Sequence, residues 1–383
     1  MTAALPDEFR LAAACCIWPP SERRDAAICA AAGGAIKWDR FLDVVERHRI
    51  AGLAQDGLAR ARVPLPEAVG ARLAAASRKV AHDSLALAGE ALRLNALFDA
   101  AAIPGTFLKG TTLAVLAYDN VAIKQAWDID LLVAPEAVLQ ASAILRAAGY
   151  DRVSPPPDFD DEKFIAWTNV AHESIFRHRE RGLVVELHWR LTGNSAISAT
   201  ATTREVVIAA GRTLKTLGDE DLFAYLCLHG TCHAWGRLKW LADLGAWLAR
   251  MPPGEIERLY AGAKTRGAGR APAQALLLCN ELFALPLPAA LSAGIKSNRA
   301  ARLLANIALT VMQQPEDMLR GNATIEASQF LITGNPREWL RQLNRRGVGW
   351  TDLQTFSLPR PLYFLYPLLR GPSWVWRRVL RRA

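Results

Sequence analysis

The chain contains no CxxC pair. Its six cysteines, Cys15, Cys16, Cys29, Cys227, Cys232 and Cys279, leave zinc-ribbon and disulfide-scaffold readings without support, so a reducing cytoplasm is the expected setting. No apolar run reaches the length of a membrane-spanning helix. The first residues, MTAALPDEFRLAAACCIW, carry acids early and no basic segment, which makes a poor signal peptide. Lysine is missing from Pro336 to Ala383, where ten Arg face one Glu and one Asp. Most of the net charge of +9 therefore belongs to this tail. What remains is an ordinary globular composition of 22% charged and 51% apolar residues. At 383 residues the chain can hold roughly two or three domains.

Phe107 to Val133, FLKGTTLAVLAYDNVAIKQAWDIDLLV, organises the rest. Lys109-Gly110-Thr111 reads as a turn entering a short apolar helix, whose N-terminal N–H groups suit a phosphate. Trp127-Asp128-Ile129-Asp130-Leu131-Leu132-Val133 then reads as a strand entering a core. Residues two apart on a strand share a face, so Asp128 and Asp130 project together. Adjacent carboxylates repel unless a cation lies between them, and Mg²⁺ is the usual hard partner. A phosphate cradle beside a carboxylate pair points to phosphoryl or nucleotidyl transfer.

The turn, short helix and Asp-x-Asp strand resemble the nucleotidyltransferase superfamily of the polymerase-β type. The blocks LKG, DIDLLV, VELHW and LCLHGTCHAWGRLKWLADL resemble, more narrowly, a group of largely uncharacterised bacterial nucleotidyltransferase-like proteins. The resemblance covers roughly Glu46 to Leu248. It implies an α+β, largely helical protein, with a polymerase-β-type α/β core between N- and C-terminal helical regions. The expected divisions are 1–100, 101–192 and 193–383. It also implies two Mg²⁺ ions, an NTP such as ATP, and an acceptor hydroxyl of unspecified identity. Glu186 in VELHW is the expected third acid beside Asp128 and Asp130. Lys109, Gly110, Thr111 and Lys124 are the expected nucleotide contacts, with Thr111 where the superfamily usually has Ser. Two alternatives stand beside the enzyme: a non-catalytic nucleotide- or peptide-binding accessory protein, and a toxin that nucleotidylates tRNA or protein.

Along the chain, residues 1 to about 100 read as helical, with one helix over Lys79–Ala101, and His48-Arg49 reads as a surface pair or a phosphate-binding pair. Asp151–Glu162 reads as a loop, with acids that rival Glu186. His172–His178 and Leu183–Arg190 read as paired strands, with Glu186, His188 and Arg190 on one face. From about Gly193 to Ala383 the chain is expected to be mostly helical. Asp219 is the expected N-cap of a long helix broken at Gly230 or Gly236. His229 and His233 have zinc-ligand spacing, with Asp243 or His188 as a third ligand, although packing is the simpler use. His188, His229, His233, Arg237 and Lys239 are candidate acceptor contacts. The tail mixes Arg with Tyr363, Phe364, Tyr366, Trp374 and Trp376. That chemistry suits packing on its own domain, peripheral contact with a membrane surface, or a nucleic-acid or acidic partner.

Overall fold

The computed structural model describes residues 5–157, 159–192, 202–319 and 322–335, with six further single positions. The basic aromatic tail and the helix expected at Arg337–Gln342 lie almost wholly outside the described residues. Five helices come first: α1 (Asp7–Cys15), α2 (Glu22–Ala32), α3 (Trp38–His48), α4 (Ala51–Arg60) and α5 (Glu67–Ala100). Next are β1 (Thr106–Phe107), α6 (Thr111–Tyr118), β2 (Asp128–Leu132), α7 (Val138–Ala147), β3 (Tyr150–Ser154), α8 (Asp161–Val170), β4 (Glu173–His178) and β5 (Val184–His188). A hairpin, β6 (Thr203–Ala209) and β7 (Arg212–Leu217), precedes α9 (Asp219–Cys232), α10 (Leu238–Leu248), α11 (Pro253–Thr265), α12 (Ala271–Phe283), α13 (Ala289–Ser297), α14 (Arg299–Met312) and α15 (Ala323–Ser328). The protein is α+β and largely helical, as the sequence implies.

By packing the chain forms two units. The first takes in the described parts of Met1–Leu94, Phe107–Ile129 and Thr200–Gly334; the second, those of Asn95–Thr106, Asp130–Ala199 and Asn335–Ala383. Strand β2 changes unit between Ile129 and Asp130.

In the first unit, α3 buries Phe41, Leu42, Val45 and His48, a stripe at helical spacing. His48 is therefore a core residue and not the surface pair expected with Arg49. Its Nδ1 accepts from Leu238 N–H at 3.0 Å, and its ring donates to the Met312 carbonyl. Helix α4 crosses the loop before β2 so closely that a Cβ on Gly52 would lie 2.2 Å from the Ile123 carbonyl oxygen. Helix α5 starts right after Pro66 and joins the helix expected there and the one expected over Lys79–Ala101 into a single element.

In the second unit, the five-stranded sheet runs β1-β2-β5-β4-β3. Pairs β3–β4 and β4–β5 are antiparallel. Trp189 anchors α8 by donating from Nε1 to the Thr168 and Ala171 carbonyls, at 3.0 and 2.9 Å.

Three expectations need correction. Asp151–Glu162 is not one loop. Tyr150 and Arg152 face inward on β3, and Asp160 caps α8 by accepting from Lys163 N–H at 2.8 Å. The mostly helical region after 193 also holds an unforeseen hairpin, since TREVVIA and RTLKTL carry β-branched alternation and pair about a turn at Gly211. The helix from 219 is broken as expected, between Cys232 and Leu238 in a gap that holds Gly236, with Ala234 and Trp235 at positive φ, but its N-cap is Gly218 and not Asp219.

Two outcomes follow for stability. Burial and the neighbouring Arg47 charge, against the Met312 carbonyl, hold the His48 pKa down to about 3, compared with 6.5 in the unfolded chain. The stability this residue supplies is complete above pH 6.5 and is lost as pH falls toward the folded value. Going from about pH 7 to about pH 5 therefore costs ~2 kcal/mol through His48. Urea unfolding at both pH values checks this, with a smaller pH slope expected in His48→Gln. Gly52→Ala forces α4 off the Ile123 carbonyl and lowers stability by about 3 kcal/mol, measured by the same unfolding at neutral pH.

Candidate functional site

The second unit gathers charge around β5. Its alternation buries Val185 and Leu187 on one face and turns Glu186 and His188 to the other. Register places Glu173 of β4 directly opposite His188, so their side chains are cross-strand neighbours. The β2 neighbour supplies Asp130, which is 1% exposed. His188 Nε2 lies 3.3 Å from Asp130 Oδ1 and 3.7 Å from Glu186 Oε2, while its Nδ1 lies 3.4 Å from Glu173 Oε2. His172 Nε2 reaches the same Glu173 oxygen at 3.4 Å.

One buried imidazole thus faces three carboxylates. Burial opposes its charge. The contacts with Asp130 and Glu186 and the field of Glu173 outweigh burial and raise the His188 pKa to about 9. Burial likewise pushes the Glu173 carboxyl up, and the two histidines reverse that, taking it to about 2. Ligand atoms of Asp130, Glu186 and His188 lie within 4.8 Å of one another, as do those of His172, Glu173 and His188. The Asp130 and Glu186 oxygens are hard donors that fit Mg²⁺. The His188 nitrogen fits it less well, and its position between acids fits a counter-charge that orients them.

Of the three expected acids, Asp130 and Glu186 come together around His188. Asp128 stands two positions earlier on β2, on the same face of that strand. Two of the five loop rivals are engaged elsewhere: Asp151 pairs with Arg179 at 2.9 Å, and Asp160 caps α8. Asp158 lies outside the described residues.

The first unit holds the other expected residues. Gly110 takes φ 68 and ψ −119 and opens α6 with no side-chain cap. That conformation favours glycine. Thr111 is buried, and Thr112 Oγ1 donates back to the Phe107 and Lys109 carbonyls at 3.3 Å. Lys124 is buried instead of reaching into a loop, with its Nζ 3.3 Å from Asp243 Oδ2. Tyr118 donates to Asp243 Oδ1 at 3.0 Å. Lys239 donates to the Gln125 carbonyl at 3.2 Å. Burial is the main reason its ammonium drops to about 7, and repulsion from Lys124 and Arg49 adds to the effect against Asp128 and Asp243. Asp243, held by Lys124 and Tyr118, is thus not a third zinc ligand.

His229 and His233 stack with Trp240, all ring centroids lying 4.9–5.4 Å apart. Arg237 lies over Trp240 at 5.7 Å. Among the described residues neither histidine belongs to a metal-capable group of three. Sequence reasoning missed Glu173, His172 and the Arg49–Trp127 stack. Glu173 had a signal: counting back equally from the turn between His178 and Leu183 sets it against His188.

A family model described as uncharacterised nucleotidyltransferase matches residues 34–284. The match spans more than half of the chain, which therefore belongs to that family. Membership supports nucleotidyl transfer as the general activity and a nucleotide as substrate. Curated proteins and solved structures return no match. Among the described residues no helix is long and apolar enough to cross a membrane.

Removing the imidazole deprives buried Asp130 of the counter-charge that His188 supplies. His188→Ala should therefore cost about 3 kcal/mol in unfolding free energy. Millimolar Mg²⁺ should restore part of that loss, read as a larger thermal shift in the variant than in the wild type.

Proposed function

We propose that the protein transfers an NMP group from an NTP to an acceptor hydroxyl, using Mg²⁺ held by Asp128, Asp130 and Glu186. The observation that carries this reading is the meeting of the Asp130 and Glu186 carboxylates around one buried imidazole, in a chain of a nucleotidyltransferase family. When bound, Mg²⁺ neutralises triphosphate charge and polarises the reacting groups.

The protein's own groups do the rest. His188 fixes Asp130 and balances its charge, so the carboxylates are ordered before a cation arrives. Glu186 is less buried than Asp130. Its carboxylate takes the proton of the acceptor hydroxyl as that oxygen bonds to the α-phosphorus. The bond from the α-phosphorus to the bridging oxygen breaks, and pyrophosphate leaves. Gly110 and Thr111 hold phosphate oxygens through backbone N–H groups, with Lys109 beside them and Lys124 and Lys239 adding positive charge. Arg237, with the His229–His233–Trp240 stack beside it, is an acceptor contact in this reading. The setting is cytoplasmic.

Asp130→Asn keeps the side-chain shape and removes the charge. NTP turnover measured as pyrophosphate release should fall by at least about a thousandfold, with the melting temperature nearly unchanged. Unchanged turnover would sink the assignment. Mg²⁺-dependent NTP binding lost in this variant, with no transfer to any acceptor in the wild type, would favour an accessory role.

A further inference from the structure

Three arginines of the first unit converge on one acid. Glu316 opens a short 3₁₀ turn, Glu316–Leu319. Arg237 pairs with its Oε1, and Arg49 Nη2 lies 3.7 Å from the same oxygen. Arg47 also feels Glu316, and its Nε donates to the Gln314 carbonyl at 3.2 Å. The two terminal nitrogens of Arg47 are shielded from solvent and bond to no acceptor among the described residues. One carboxylate cannot satisfy three guanidinium forks.

The backbone is bent to bring these groups in. Arg49 ends α3 in the left-handed region, at φ 58 and ψ 47, where glycine is the usual residue. Ala234 and Trp235 also take positive φ, at 45° and 49°, just before Arg237. Left-handed non-glycine residues are costly and gather at functional sites. The Arg49 guanidinium is further pinned over the Trp127 ring, 4.1 Å from its centroid. Trp127 is itself 55% exposed, so its stacking is not a by-product of core packing. Burial lowers the Arg47 pKa; Glu316 opposes that and Arg237 reinforces it. Asp128 acts on Arg49 beside Glu316, so two acids face three guanidinium groups and positive charge remains in excess.

We propose that Arg47, Arg49 and Arg237 form a binding site for a phosphate-bearing ligand, and that Glu316 occupies it as an internal stand-in which the ligand displaces. Guanidinium forks match phosphate oxygens in pairs, and the surplus charge suits a multiply charged anion over a single carboxylate. The inference deepens the nucleotidyl-transfer reading and rests on it for the source of the phosphate: the NTP itself, or a phosphorylated acceptor.

The test is calorimetric titration of the full chain with inorganic tripolyphosphate, with a chelator present to remove divalent metal. Wild type should bind with an affinity that falls as salt rises. Arg237→Gln should weaken binding by about tenfold, and Glu316→Gln should strengthen it by about tenfold. Equal affinities in all three proteins, or no binding by Glu316→Gln, overturn the proposal. The gain expected in Glu316→Gln keeps it decidable if Arg237→Gln does not fold. If wild type binds Mg²⁺–NTP through Asp130 but does not bind metal-free tripolyphosphate, this inference fails alone and the enzymatic reading stands. Competition between tripolyphosphate and Mg²⁺–NTP assigns the site to the nucleotide's phosphates; simultaneous binding assigns it to a phosphate on the acceptor.

Discussion

Carboxylates removed from water need a positive partner, and the His188 imidazolium is that partner here. Asp130 is essentially inaccessible, and Glu186 and Glu173 are partly so. Mutual repulsion would drive such groups apart or leave them protonated. Charge on His188 offsets the repulsion among the three at close range, and carboxylate oxygens are what a hard cation requires. The strand pattern puts Glu186 and His188 on one face, the register adds Glu173, and β2 adds Asp130. The histidine is therefore both a packing residue and an electrostatic one.

The first unit meets the same requirement with opposite signs. Lys124 and Lys239 are buried near Asp243, and Tyr118 completes the acid's hydrogen bonding. Burial and these partners pull Asp243 in opposite directions, and burial prevails, leaving its pKa raised. Two ammonium groups and one carboxylate form a fixed cationic surround for the residues leading into β2. The loop is locked from the other side by α4, through the close approach of Gly52 to the Ile123 carbonyl.

Much of this could be read in the chain beforehand. Asp128, Asp130 and Glu186 stand out because strand alternation is local, and a turn with glycine before an apolar helix is local too. The β4–β5 pairing was legible for the same reason. Long-range contacts were not. Nothing near Arg49 announces that it stacks on Trp127, and nothing near Lys124 announces Asp243 as its partner. The β6–β7 hairpin escaped because alanine-rich surroundings suggested helix, while the alternation in TREVVIA was short. Asp151–Glu162 misled because prolines and acids suggest a loop, yet inward-facing Tyr150 and Arg152 suffice to make its start a strand. The helix end at 232 rests on a local fit that glycine alone allows: a Cβ at Gly230 would lie 2.5 Å from the Trp235 ring.

The turn between β4 and β5 is exposed and polar, the kind of segment that usually tolerates insertions. Here its length sets which residue faces His188. A slip of one position would bring Ser174 opposite the imidazole and turn Glu173 to the other side of the sheet. Chain length at 179–182 is thus constrained indirectly, through a partner several residues away. Among related sequences, gaps at this turn would separate chains that keep the four-residue spacing, and with it the acid opposite the histidine, from chains that must balance their buried charge in some other way.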